Sequence, residues 1–211
     1  MQRERQRESQ AEACATCGGV MGASEKIVSE AKNDRGASFL REMLSREAMK
    51  IVLLPVLAAI AYGLVMDQIT IRVSPEYFTI AHPRILNTGS LTLLAFAWGV
   101  IATWWAGAIA GVAFAIAARA GKLPKVTWRR FARPLAVLAL VMALCTVAAA
   151  FVGAWMVNSG SIPAVQAWAL ALPLDKQAAF MADAFAHVAS YLVGALGCLT
   201  IAVSVAWKRY A

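Results

Sequence analysis

The stretch that decides the fold is PLAVLALVMALCTVAAAFVGAWMV, residues 134–157, which contains no charged side chain. Crossing the hydrocarbon layer of a bilayer as a helix takes about 20 apolar residues. Three other stretches have the same character: 51–66 with its flanks, a part of 85–118, and a stretch that ends at Trp207. We therefore predict an all-α membrane protein built on a bundle of four transmembrane helices.

The composition of the whole chain indicates the same class of protein. Of its 211 residues, 60% are hydrophobic and 15% are charged, whereas a soluble domain has about 45–50% apolar and about 25% charged residues. Lipid is therefore the expected main solvent, and four spans leave no room for a second globular domain. The formal net charge is +8, but the basic residues do not form a stripe interleaved with aromatic residues. We therefore expect no nucleic-acid partner.

The excess of basic residues is concentrated in one short loop between the second and third spans. Residues 119–133 carry no acid and hold Arg119, Lys122, Lys125, Arg129, Arg130 and Arg133. Short loops rich in lysine and arginine stay on the cytoplasmic side of a membrane. With an even number of spans, this loop predicts that both termini are cytoplasmic and that loops 67–90 and 158–178 lie outside.

The sequence before the first span differs in composition from the rest. Residues 1–48 are predicted to form a polar cytoplasmic tail, and residues 49–211 the domain of four transmembrane helices. Ser38 is placed to cap a short amphipathic helix in the tail. The apolar face of that helix consists of Phe39, Leu40, Met43 and Leu44. Cys14 and Cys17 have no second pair or histidine nearby, so we interpret them as a reduced pair.

The loop after the first span shows a β pattern. Residues 68–73, Gln-Ile-Thr-Ile-Arg-Val, alternate between polar and apolar, and residues 76–80 alternate again. Ser74 and Pro75 stand between the two runs, where they favour a turn. We therefore predict a small extracytoplasmic β-hairpin between helices 1 and 2, lying over the outer end of the bundle.

Small residues at four-residue spacing mark the faces along which the helices are expected to meet. The second span has the pair Gly107 and Gly111, and the fourth span carries a longer stripe. This stripe consists of Ala182, Ala186, Ser190, Gly194 and Cys198. Small side chains let the backbone of a neighbouring helix come close.

Only four acidic residues and two histidines lie beyond residue 50, and most of them fall at one depth. Counting about 20 residues from each basic anchor places them at the outer ends of the spans. The predicted polar cluster consists of Asp67, Arg72, Glu76, His82, Asp183, His187 and Tyr191. Asp183, His187 and Tyr191 follow at four-residue steps, which puts them on one face of a helix. Ionisable groups are costly in lipid, so this face is expected to point into the bundle or toward an outer vestibule.

Three interpretations of this cluster stay open. In the first it is a structural hydrogen-bond network, with Arg72 and Arg84 as the partners of its carboxylates. In the second it binds a divalent metal, because carboxylate and imidazole groups are common metal ligands. The metal ligands would be Glu76, His82, Asp183 and His187. In the third the cluster is part of a path for protons or a solute.

Several segments carry distinctive motifs. They are Tyr62-Gly63, Asp67-Gln68-x-Thr70-x-Arg72, Glu76-Tyr77-Phe78-Thr79 and His82-Pro83, followed by 98–105, 115–121 and 187–194. Over roughly residues 60–200 the pattern resembles a family of uncharacterised bacterial four-helix integral membrane proteins. The resemblance implies the same architecture, and the family brings no known activity. In that family a histidine often stands where this chain has Met66, and a cysteine where it has Ser74. Both departures remove potential metal ligands.

These observations together predict an integral protein of the bacterial inner membrane. The leading interpretation is a small membrane subunit or scaffold whose outer face carries a polar binding cluster, with the lipid bilayer around it. A second copy of the chain or another membrane protein is its expected partner. One alternative is a metal-dependent membrane enzyme that uses the His, Asp and Glu residues of the outer surface. Another is an oligomeric channel or proton-coupled transporter, since four spans alone enclose only a narrow interior.

Overall fold

The structure is a computed structural model that describes residues 36–38, 40–161 and 172–210. The chain divides into two units, Met1–Leu44 and Ser45–Ala211. In the first unit, residues 36–38 and 40–43 are helical, while Cys14, Cys17 and Phe39 lie outside the described residues. The helices of the second unit are α1 (Arg46–Val73), α2 (Pro75–Ile80), α3 (Leu91–Ile101), α4 (Trp104–Arg119), α5 (Arg129–Asn158) and α6 (Leu174–Tyr210).

Four helical segments within the described part of the chain are long and apolar enough to cross a membrane. They are Arg46–Val73, Leu91–Arg119, Arg129–Asn158 and Leu174–Arg209. They contain the four stretches recognised in the sequence, so the prediction of a helical protein with four candidate spans is confirmed. The second span is made of α3 and α4 together, and the others are α1, α5 and α6.

Glycines set how closely α1 approaches the second span. A Cβ atom on Gly111 would lie 2.5 Å from the carbonyl oxygen of Val52, and one on Gly107 would lie 2.6 Å from Cα of Val56. Both distances are far shorter than any carbon atom tolerates, so only hydrogen fits at these positions. The glycine pair in the sequence therefore marks a real close approach of two backbones, as predicted.

The remaining helix contacts complete an up-and-down bundle. Gly153 of α5 faces the backbone of Met181, and Gly197 of α6 faces the side chain of Leu138. These two contacts show that α5 and α6 run antiparallel. In addition, α1 packs on α3 and α4, and α6 packs on α4 as well as on α5.

The predicted β-hairpin is wrong, because its two arms belong to α1 and α2 and the described residues contain no strand. A strand would place Ile69, Ile71 and Val73 on the same face. In the structure, Ile71 is buried while Ile69 and Val73 are exposed. A helix pairs its own backbone groups in lipid, whereas an isolated hairpin leaves its edges unpaired. Pro75 ends α1, because a proline disfavours helical backbone in the residue before it. Ser74 is accordingly extended, at φ −142° and ψ 93°.

The two ends of the bundle differ in chemistry. We call the end that holds Asp67, His82 and His187 the histidine end, where α1 stops and α6 starts. We call the end that holds Arg119 and Arg209 the arginine end, where α4 and α6 stop. The predicted clustering of polar groups at one depth therefore corresponds to one end of the bundle.

The second span is interrupted between α3 and α4. Two hydroxyl groups bond backbone carbonyls at the interruption. Thr103 Oγ1 donates to the carbonyl oxygen of Gly99 at 2.6 Å, and Tyr191 of α6 donates to that of Ala102 at 2.9 Å. Backbone polar groups inside a membrane need partners within the protein. The hydroxyl of α6 therefore helps to complete the broken span.

Candidate functional site

A histidine and an aspartate from different spans meet at the histidine end. Nε2 of His187, on α6, lies 3.3 Å from Oδ1 of Asp67, on α1, and their side chains are 18% and 8% exposed. Because α1 continues to Val73, Asp67 lies well over one helical turn inside the helix end. The pair therefore ties α1 to α6 within the bundle.

The hydrogen bonds of His187 indicate which ring nitrogen carries a proton. Nδ1 of His187 lies 2.8 Å from the backbone carbonyl oxygen of Asp183, one turn earlier on α6. A carbonyl oxygen only accepts, so Nδ1 is the donor. In a neutral imidazole the other nitrogen is then an acceptor. The carboxylate of Asp67 is an acceptor too, so their contact requires one further proton, on Nε2 or on Oδ1.

Tyr77 of α2 is the common contact of the aromatic side chains at this end. The centroid of its ring lies 4.6 Å from that of His187, 4.9 Å from that of His82 and 5.6 Å from that of Phe180. Burial is the main cause that raises the pKa of Tyr77, so its phenol stays protonated. The sequence named Tyr77 only as part of the motif at 76–79, and the predicted cluster did not include it.

Like His187, His82 has a hydrogen bond from Nδ1 to a backbone carbonyl group, but its surroundings differ. Its Nδ1 lies 3.0 Å from the carbonyl oxygen of Tyr77, so Nδ1 is again the donor. Its ring centroid lies 4.8 Å from that of Trp98 and 6.0 Å from that of Phe78. No carboxylate among the described residues forms a hydrogen bond with His82. Its role in the structure is to anchor the segment after α2.

Asp183 is the most deeply buried carboxyl group of the histidine end. It is 2% exposed, and its Oδ2 has no hydrogen-bond partner among the described residues. It lies beside the backbone amide of Ser74 and within electrostatic reach of Asp67. The link from Asp183 to His187 runs through the backbone carbonyl and not through the carboxylate. A buried carboxyl group without a full set of partners is costly, which makes this position unusual.

Glu76 lies at the rim of the histidine end. Nζ of Lys176, on α6, is 3.6 Å from Oε1 of Glu76, and the hydroxyl of Ser74 donates to Oε2 at 3.3 Å. A hydrogen bond from its own backbone amide is the main cause that lowers the pKa of Glu76. Burial opposes this effect, and the charge of Lys176 adds to it. Glu76 therefore joins α2 to α6 as an ion pair, apart from the two histidines.

The two remaining members of the predicted cluster have other partners. Arg72 donates through Nη1 to Gln68 and through Nη2 to Oγ1 of Thr92 at 3.0 Å. It thereby joins α1 to α3. The predicted pairing of Arg72 with a carboxylate is wrong, because its partners are Gln68 and Thr92. Tyr191 serves the interrupted second span. The structure thus divides the predicted cluster into several parts. They are the buried pair of Asp67 and His187, Glu76 in an ion pair at the rim, Arg72 and Tyr191 as ties between helices, and His82 and Asp183, which are separate from these.

Three hydroxyl groups from three spans meet about one turn deeper in the bundle than the pair. Oη of Tyr62 lies 3.0 Å from Oγ1 of Thr146 and 3.2 Å from Oγ of Ser190, and these two oxygens are 2.7 Å apart. The triad joins α1, α5 and α6. The triad was not predicted as a site; the signal for it in the sequence is Thr146, an isolated polar residue within the apolar stretch 134–157.

The arginine end uses its cations to bind backbone carbonyl groups. The guanidinium of Arg209 donates to four carbonyl oxygens at distances from 2.6 to 3.2 Å. These oxygens belong to Ala117, Ala120, Leu123 and Pro124. Lys125 donates to the carbonyl groups of Arg119 and Gly121. Arg209 therefore joins α6 to the end of α4 and to the basic loop, whereas Lys125 stabilises the turn after α4.

The four residues predicted as metal ligands do not converge. In the part of the chain that the structure describes, no three His, Cys, Asp or Glu side chains are placed together to hold a metal ion. His187 faces Asp67, and His82 faces aromatic rings. Glu76 faces Lys176. The donor atoms present fit hydrogen bonding within the protein better than a shared ion.

The fold and the site define a class, namely a helical protein with four candidate membrane spans and a buried histidine–aspartate pair at one end. Comparison of the chain with protein-family models, curated proteins and solved structures gives no match. The family resemblance drawn from the sequence motifs stays a prediction.

Proposed function

We propose that the chain is a small membrane subunit or scaffold of the bacterial inner membrane, and that its histidine end faces outward and binds a partner. Both termini are then cytoplasmic. The observation that carries the proposal is that the polar groups of this end bind one another: His187 bonds Asp67, and Lys176 pairs with Glu76. Catalysis needs a reactive group with a free position for substrate. These pairs use their donors and acceptors within the protein. Oδ2 of Asp183 has no partner among the described residues, but that side chain is only 2% exposed, so the arrangement supports a structural role over metal-dependent catalysis.

The proposed binding surface is the segment that covers the pair. Ile80 and Leu86 are exposed apolar side chains outside the four spans, and Arg84 is exposed between them. Phe78 is buried beneath this surface, and His82 packs into the aromatic cluster. The exposed side chains therefore stand on an anchored backbone. An anchored surface of apolar and arginine side chains suits a protein partner, because little ordering is needed on binding.

A photo-crosslinking residue in place of Ile80 tests this surface in native membranes. We expect a light-dependent adduct of one defined mass, either a dimer of this chain or a complex with one membrane protein. The matched control carries the same residue at Leu140, an exposed position of α5 within a span, where lipid is the expected neighbour. Equal adducts at both positions, or no adduct at Ile80, would contradict the proposal.

A further inference from the structure

We propose that the start of α5 is a binding surface for one anionic phospholipid. The surface is a stripe of three arginines followed by three apolar residues: Arg129, Arg130, Arg133, Val137, Leu140 and Leu144. We call it the α5 stripe. Its arginines hold the phosphate of the headgroup, and its apolar side chains lie along an acyl chain. The stripe belongs to the arginine end, so the inference does not depend on the partner proposed for the histidine end.

The α5 stripe lies on the side of the helix that points away from the bundle. Its residues follow one another at steps of three and four, which align side chains on one face of a helix. The opposite side begins with Phe131, whose ring stacks on that of Phe114 of α4 at a centroid distance of 4.7 Å. It continues with Leu135 and Leu138, which are buried. Because a helix has about 3.6 residues per turn, packing of this side turns the stripe outward, where lipid surrounds a membrane span.

The three arginines of the stripe have no acidic partner among the described residues. The first turn of α5 contains no acidic side chain, and the four acidic residues beyond residue 50 lie toward the histidine end. The carboxylate of Glu47, at the start of α1, is bonded by Nζ of Lys50 at 2.7 Å. Like charges three and four residues apart on a helix repel one another. An anion that contacts Arg129, Arg130 and Arg133 removes this repulsion.

Other cations of the arginine end fix the loop that precedes the stripe. Arg119 donates to the carbonyl oxygen of Val126 at 3.3 Å, and Lys125 donates to that of Gly121 at 3.0 Å. The guanidinium of Arg209 binds four further carbonyl groups. Within the described part of the chain, the guanidinium groups of the stripe take part in no hydrogen bond. Their planar forks of N–H donors match phosphate oxygens in pairs.

The position and length of the stripe match one phospholipid. Its arginines directly precede the uncharged stretch 134–157, and long cationic side chains at the end of a span reach the headgroup level. Cζ of Arg129 lies 5.9 Å from the ring centroid of Trp128, and tryptophan is enriched at this level. From Arg133 to Leu144 the helix rises about 16 Å, about half of a hydrocarbon layer of about 30 Å. One acyl chain occupies this depth.

Net charge decides which phospholipid fits. A zwitterionic headgroup such as phosphocholine presents a cation beside its phosphate, and three arginines repel that cation. Phosphatidylglycerol has the same phosphate and no cation. Basic residues at a membrane surface attract anionic lipids, with an effect of about fivefold per residue. The stripe should therefore select phosphatidylglycerol from a mixture in which phosphatidylcholine is in excess.

Photo-crosslinking identifies the lipid beside the stripe. The full chain carries a photoreactive residue in place of Val137 and is reconstituted in vesicles of phosphatidylcholine with a minor share of phosphatidylglycerol. Mass spectrometry gives the ratio of the two lipid adducts. The matched position is Leu53, an exposed residue at a similar distance from the start of α1. We expect the share of phosphatidylglycerol to be at least about fivefold higher at Val137 than at Leu53.

Two double variants remove the same amount of charge from two places. Arg129→Gln with Arg133→Gln acts on the stripe, whereas Lys122→Gln with Lys208→Gln acts elsewhere at the arginine end. We expect the first pair to reduce the share of phosphatidylglycerol at Val137 to its share in the vesicle, and the second pair to leave it unchanged. Enrichment that survives the first pair, or an equal loss in both, would overturn the proposal.

Two results with the unsubstituted stripe also contradict the proposal. They are equal shares of phosphatidylglycerol at Val137 and Leu53, and a share at Val137 that does not exceed its share in the vesicle. If the first double variant does not insert, the comparison of these two positions decides. The crosslinking of Ile80 tests the other end of the bundle, so this inference stands or falls separately from the subunit role.

Discussion

The two ends of α6 are fixed by opposite chemistry. At the arginine end, Arg209 donates four hydrogen bonds to backbone carbonyl groups. At the histidine end, His187 meets Asp67 through a contact that needs an exchangeable proton. One helix is therefore held by hydrogen bonds to backbone carbonyl groups at one end, and by a pair of side chains from two spans at the other.

The largest expected difference between the two ends is their accessibility from outside the cell, because labelling of a single cysteine is all or none. In a variant without the four native cysteines, a single cysteine replaces Asn87 or Thr127, which are exposed at the histidine end and the arginine end. An impermeant thiol reagent applied to intact cells should label Asn87→Cys. It should leave Thr127→Cys unlabelled until the membrane is opened. Labelling of Thr127→Cys in intact cells would reverse the proposed orientation.

His187→Ala should be the most destabilising of the polar substitutions at either end. It leaves the carboxylate of Asp67 buried without its partner, a change that costs about 3–5 kcal/mol. Thermal unfolding in detergent measures the loss. His82→Ala is the matched control, because His82 has the same bond from Nδ1 to a carbonyl but no carboxylate on Nε2, and it should cost clearly less. Equal losses in the two variants would show that the pair has no special importance.

Arg209→Ala should have an intermediate effect. The variant leaves four carbonyl groups without their donor, but these lie near the aqueous boundary, where water replaces part of the bonding. We expect a loss of about 1–3 kcal/mol, the range for hydrogen bonds to charged groups. Arg209→Lys keeps the charge and loses the planar fork of donors, so it should recover only part of the stability. Full recovery by lysine would mean that charge alone acts at this end.

The smallest expected effect is the response of the Glu76–Lys176 ion pair to acid. The pKa of Glu76 lies below its ordinary value of 4.5, so its contribution is present above that value and is lost as the pH falls through the folded pKa. An exposed ion pair contributes no more than about 1 kcal/mol. The difference in unfolding temperature between wild type and Glu76→Gln should therefore exist at neutral pH and vanish in acid. A difference that grows in acid would contradict the assignment.

The four spans were predictable because length and charge determine them. An apolar stretch of about 20 residues with basic residues beyond one end has one stable place in a bilayer. The same counting put Asp67 and His187 at one depth, and the structure brings them into contact. Close helix approach at Gly107 and Gly111 also followed from their spacing. These features depend on distances along the chain, which a sequence contains.

The partner of each polar group was not predictable in the same way. Depth along a span says nothing about rotation around the helix axis, and rotation decides that His187 faces Asp67. The β-branched residues Ile69, Ile71 and Val73 fit a period of two as well as a helix, so the pattern favoured a strand. In lipid the helix is favoured, because lipid offers no hydrogen-bond partners to the backbone groups at the edges of a hairpin. Because α1 continues as a helix to Val73, Asp67 lies inside the bundle and not on a loop.

The concentration of cross-span bonds on α6 has a consequence for biogenesis. Besides Lys176, which pairs with Glu76, four side chains of α6 form hydrogen bonds with earlier parts of the chain: His187, Ser190, Tyr191 and Arg209. As the last of the four spans in chain order, α6 leaves the ribosome after the others. Until it inserts, the nascent protein exposes an unpartnered carboxylate on α1 and a bare carbonyl group at the interrupted span. Synthesis therefore has a defined completing step, and a chain truncated before α6 is the form that membrane proteases should recognise and remove.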